Sequence, residues 1–255
     1  MPEPPDSSEP WWTRGEFAWA CAIGVGFVTT WLGLQVPLPG FAALLSSAAF
    51  APIYVDLLRR EKRSLMLASS AVWALGSLGA VVGVVYEAPI PQDFAARLPG
   101  AHTLLQEDFG FLQIEGLLEP GTEDPPPVPR STLPRNLFAC LLVVALARPV
   151  GGVFALLMLA NLLGAVGGAL GAAGFAPGTS GLIVLCAIPP HLLLWILAGL
   201  LGAVAVSEMA LLPELAPLTS LRRRFLLAAL VLACLAFAGH GMWIRTWRSY
   251  LADWL

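Results

Sequence analysis

Two sets of residues in this chain have types and spacing that bear on chemistry. The first is Gly178-Thr179-Ser180-Gly181 with His240 further on: a serine in a glycine-flanked turn and a histidine able to take its proton are the minimum for a nucleophilic pair. The second is a scatter of polar side chains within otherwise apolar runs: Asn136, Arg148, Asn161, His191 and Glu208. At bilayer depth such groups have no water to bond, so each is a candidate either for binding a ligand or for holding helices together. Asn161 reads as a hydrogen bond to a neighbouring helix, and His191 as a partner for carbonyls freed by Pro189 and Pro190. Glu208, close to Arg222, Arg223 and Arg224, reads as a solvated or ion-paired residue at the membrane rim rather than a proton relay.

The elements that must position these residues follow from composition. Of 255 residues, 57% are hydrophobic and 12% are charged, against roughly a quarter charged in soluble domains. The apolar residues come in runs near the ~20 residues that cross a hydrocarbon core, where a helix satisfies its own backbone polar groups. The fold class is therefore all-α, a polytopic transmembrane helix bundle whose main partner is the lipid bilayer. Cys21, Cys140, Cys186 and Cys234 lie in apolar runs without CxxC spacing, so no disulfide framework, metal site or other cofactor is indicated. A net charge of -3 without a basic stripe gives no footprint for nucleic acid.

Residues 1–16, rich in Pro, Ser and acids, read as a disordered cytoplasmic tail. Spans are expected over Phe17–Val36 and Phe41–Leu58, ending in the basic knot Arg59 to Arg63, which the positive-inside rule places in the cytoplasm. A third span, Ser64–Tyr86, leads to the acidic segment 87–134, expected outside, with a surface helix over Leu98–Leu118 and a Pro-rich stretch after it. Residues 135–244 then hold a four-span core. Its first arm, Asn136–Pro149, is short and carries Arg148 towards the cytoplasm. Val153–Gly174, Leu182–Val206 and Phe225–Ile244 follow, with Arg222 to Arg224 again cytoplasmic. The expectation is seven crossings, the short hairpin arm included, and an aromatic interfacial tail at 245–255 with Trp247, Tyr250 and Trp254. Glycine pairs four apart, Gly79/Gly83, Gly164/Gly168 and Gly167/Gly171, permit close helix contact, within the chain or across a homo-oligomer face.

In that frame the serine turn has the GxSG form of the rhomboid intramembrane proteases, with Ser180 and His240 on one external side. The context argues against the likeness: the rhomboid histidine opens a glycine-rich helix, whereas His240 closes one, and Thr132 stands where a histidine precedes the Asn of that family. A broader resemblance runs in order from Asn136 to Pro213. Arg135-Asn136 at a helix start, Asn161-Leu162 with Gly164, Pro190-His191-Leu192, and then Gly199 and Gly202 resemble the landmarks of the stage II sporulation protein M family. Five crossings from Ser64 onward match that family's order, and Phe17–Leu58 would be an added pair. The sequence departs at Arg135, Leu162, Leu192 and at Trp195, where the family has a glutamate. The resemblance implies a scaffold of a bacterial-type inner membrane that holds other membrane or envelope proteins in a complex, with no catalysis of its own. The alternative from another class is a transporter or permease subunit with a polar site near Asn161 and His191, motivated by the broken helix at Pro189-Pro190.

Overall fold

A computed structural model describes residues 15–88, 90, 94–95, 97–107, 132–147, 152–172, 187–208 and 219–252, with the backbone alone described at 16, 105–107, 132–136 and 240–252. Among these residues the regular structure is helical and no strand occurs. Helices run over Gly15–Leu34 (α1), Phe41–Arg59 (α2), Arg63–Tyr86 (α3), Ala101–Glu107 (α4), Thr132–Leu146 (α5), Val153–Gly171 (α6), Pro190–Val206 (α7) and Ser220–Ala252 (α8).

Four of them are long and apolar enough to cross a membrane: Phe17–Leu34 within α1, then α2, α3 and α6. The apolar stretch Leu137–Leu146 of α5, and α7, are shorter. The outer surface carries large apolar side chains that water would not tolerate, among them Phe17, Phe27 and Val28 on α1, Phe138 and Leu141 on α5, and Leu227 and Leu230 on α8. Lipid is the solvent such a surface fits.

The bundle closes through small residues. α1 and α3 cross at Gly26 and Gly76, where a Cβ on Gly76 would stand 2.6 Å from the Ile23 carbonyl oxygen, so only glycine lets the two backbones approach this closely. α6 lays Gly167 and Gly171 on Val81 and Val85 of α3, with a built Cβ at 2.9 and 2.8 Å from those side chains. Its Gly168 receives Leu98 and Ala101 from the segment leading into α4. Where a surface helix over Leu98–Leu118 is expected, the described part buries Leu98, Ala101 and Leu104 against the bundle, with Leu98 and Ala101 on the glycine face of α6, and leaves His102 and Thr103 exposed. The rest of that expected helix lies outside the described residues. Gly79 and Gly83 face open space instead.

Two helix boundaries differ from expectation. α7 starts at Pro190: Ala187 and Ile188 form a turn, and Pro189 takes φ -56°, ψ 131°, the extended conformation a residue before proline prefers, while residues 182–186 of the expected span lie outside the described residues. α8 continues past Ile244 through the aromatic residues to Ala252. At ~1.5 Å per residue its 33 residues exceed the ~30 Å hydrocarbon core.

Candidate functional site

The buried polar groups gather at two places. The first is the C-terminal end of α7, whose last carbonyls have no helical partner and carry the negative end of the helix dipole. Arg63, at the start of α3 and only 3% exposed, donates through Nη1 to the Val204 carbonyl at 2.6 Å and through Nη1 and Nη2 to the Ser207 carbonyl at 3.2 Å. Arg222, in the first turn of α8 and 7% exposed, donates through Nε to the Ala205 carbonyl at 2.7 Å and through Nη2 to Glu208 at 2.7 Å. Two guanidinium forks from different helices therefore cap one helix end.

Local backbone prepares this arrangement. α2 ends in a Schellman turn: Lys62 N–H bonds the Leu57 carbonyl and Glu61 N–H the Leu58 carbonyl, which puts Glu61 in the left-handed region at φ 54°. From there its carboxylate accepts from Arg63 Nε at 3.0 Å and aims the guanidinium inward. Asp56 holds Arg60 at 2.9 Å one turn back. At the same end of α7, Ser207 donates to the Ala203 carbonyl at 2.7 Å, so Tyr54 is the donor in its 2.9 Å contact with the Ser207 hydroxyl. Gly152, at φ 81° before α6, packs directly on this pair; a Cβ there would stand 2.7 Å from Ser207 Oγ and 2.8 Å from Tyr54. One polar knot thus ties the ends of α2, α3, α6, α7 and α8.

The second gathering lies deeper, between α1, α2, α3 and α6. Trp73, stacked on Phe50 at 5.0 Å, donates to Ser46 at 3.1 Å; Ser77 donates to the Gly26 carbonyl at 3.4 Å, so Ser46 supplies the proton of its 3.1 Å bond to Ser77. Beside this relay a cavity of about 20 Å³ is bounded by Thr30, Ser46, Ser77 and Asn161. The Thr30 hydroxyl is buried there without a protein partner, and the space suits one water, which needs roughly 10–15 Å³ and two to four polar neighbours. Asn161 donates to the Leu157 carbonyl one turn back in its own helix, at 3.0 Å, where a bond across helices is expected. It also lines a wider cleft of about 240 Å³ between the α4 segment, α5 and α6, whose walls are otherwise mainly apolar.

Of the residues singled out by sequence, Glu208 sits in the polar knot and Asn161 at the cavity, while His191 is fully buried in the first turn of α7 and lines neither the cavity nor the cleft. Asn136 lies on α5 and His240 on α8, with only their backbones described, and Arg148, Ser180 and the Pro-rich part of the acidic segment lie outside the described residues. Among the described residues no group of three or more His, Cys, Asp or Glu could hold a metal ion. Sequence reasoning passed over Arg63, Tyr54, Ser207, Ser46, Ser77 and Trp73. The signal for the hydroxyls was present, since Ser46 and Ser77 stand in the middle of apolar runs. No signal marks which arginine of the knot 59–63 turns inward.

Helices of this length, an apolar outer surface and buried polar ties define a class, the helical membrane proteins. No family model, no curated protein and no solved structure matches the chain.

Proposed function

We propose that the protein is a multi-pass scaffold of a bacterial-type plasma membrane that binds other membrane or envelope proteins and performs no catalysis itself. The observation that carries this reading is how the buried polar groups are spent. Arg63, Arg222, Tyr54, Ser207, Ser46, Ser77 and Trp73 all bond the chain's own backbone or one another, which gives a rigid body suited to presenting surfaces. The same role is what the likeness of Asn136–Pro213 to the stage II sporulation protein M family, read from the residues alone, implies. Seven crossings with the amino end inside belong to this proposal. In their support, the C-terminal ends of α2 and α7 and the N-terminal ends of α3, α6 and α8 all meet in one knot, so α2 and α7 run towards that end, α3, α6 and α8 run away from it, and α5 would return the chain between α3 and α6. The test is isolation of the tagged chain from its native membrane in mild detergent after cross-linking. A stoichiometric membrane or envelope partner is expected, and recovery of the chain alone would sink the reading.

One observation favours a transport subunit as the second reading: Asn161 is a shared wall of the open cleft and the small polar cavity, as a residue on a solute path would be. Solute flux into reconstituted vesicles that is lost on Asn161→Ala would put this reading first.

A further inference from the structure

The polar knot has an outward face. Because Arg63 and Arg222 close on the same helix end, the two basic clusters, far apart in sequence, come to one end of the bundle. That end holds Arg59, Arg60, Lys62, Arg63, Arg222, Arg223 and Arg224 against Asp56, Glu61 and Glu208, and each of these three carboxylates is already bonded to an arginine. Arg59, Arg223 and Arg224 are exposed and take no part in those three ion pairs.

We propose that Arg59, Arg223 and Arg224, framed by the locked pair Arg63 and Arg222, form a headgroup site for anionic phospholipid. Three physical features favour an anionic phospholipid, and two of them, the depth of the cations and the apolar face beside them, separate it from a soluble anion. The cations sit at the ends of apolar helices, the depth at which headgroup phosphates lie, and a guanidinium matches phosphate with two parallel N–H donors. Arg223 closes the first turn of α8 and Arg224 follows it, so the positive end of the helix dipole adds to their charge. Directly along α8, Leu227, Leu230 and Val231 are exposed and apolar, a surface for the acyl chains of a lipid whose phosphate the arginines hold. The buried pair matters because it is spent on carbonyls: it fixes the spacing of the two clusters and leaves the exposed cations to the headgroup. The inference rests on the membrane character of the bundle and stands whether or not the protein is a scaffold.

The experiment uses the full chain in vesicles of phosphatidylcholine and phosphatidylglycerol, and compares the protein-associated fraction of spin-labelled phosphatidylglycerol with that of spin-labelled phosphatidylcholine. Wild type is expected to prefer the anionic label by about five- to tenfold, a preference that shrinks as salt is raised to about 0.5 M. Arg59→Gln, Arg223→Gln and Arg224→Gln together should bring the ratio close to one with helicity and melting unchanged. Arg97→Gln, at the opposite end beyond α3, should leave it intact. Equal association of both labels with wild type overturns the proposal, as does a preference that survives the triple substitution. A wild-type preference indifferent to salt overturns it independently of how any variant folds.

Discussion

Arg63 shows how a charge is tolerated where water is excluded. Its guanidinium faces two carbonyls of α7 and the Glu61 carboxylate, so most of its donors are met and the α7 dipole compensates its charge. Arg63→Met would leave those carbonyls without that partner while Arg222 still caps Ala205. A loss of about 2–3 kcal/mol is expected in reversible unfolding from mixed micelles. Arg63→Lys should recover only part of it, because an ammonium cannot bridge two carbonyls as a planar fork does. Gly152 is the complementary case. Any side chain there meets both a left-handed backbone and the Tyr54–Ser207 pair, so Gly152→Ala should cost about 2–4 kcal/mol in the same measurement.

Among helices, the glycine pairs separate into those used within the chain and those that are not. Gly167 and Gly171 let α6 settle on Val81 and Val85, and Gly164 and Gly168 face Leu98, whereas Gly79 and Gly83 meet nothing within 4 Å. Gly167→Leu is therefore expected to destabilise the bundle by about 1–3 kcal/mol through overpacking, and Gly79→Leu to leave melting nearly unchanged. Equal effects at the two positions would mean that α3 and α6 do not pack as described. The break before α7 has a similar local logic: two consecutive prolines withhold two donors, and the helix begins where proline is tolerated, at its first position. This shortens α7 to 17 residues and brings its C-terminal end to the arginines.

For the molecule as a whole, the testable quantity is the side on which its ends lie. The directions of the five helices that end at the polar knot support the seven-crossing proposal, in which the amino end and the basic clusters share one side and the carboxyl end emerges on the other. A membrane-impermeant label directed to a tag after Leu255 should react in intact cells, while a tag before Met1 should react only after permeabilisation. Labelling of both ends from the same side would require an even number of crossings.

The all-helical membrane class was legible in the sequence because exclusion from water is a property of composition and run length. Runs such as Ser64–Tyr86 or Val153–Gly174 announce themselves residue by residue, and the helices fall at or near the expected places. Pro189-Pro190 likewise marks a helix boundary, the start of α7. The identity of the polar site was not legible, because it depends on which helix ends meet. Arg59, Arg60, Lys62 and Arg63 look alike in sequence, and only the fold turns Arg63 onto Val204 and Ser207 and leaves Arg59 at the surface. The sequence by itself thus determined the solvent this chain is built for, through local and additive hydrophobicity. The tertiary structure alone decided which polar groups are consumed as ties and which remain outside, since a hydrogen bond between α3 and α7 requires a distance and a direction that no single run of residues contains.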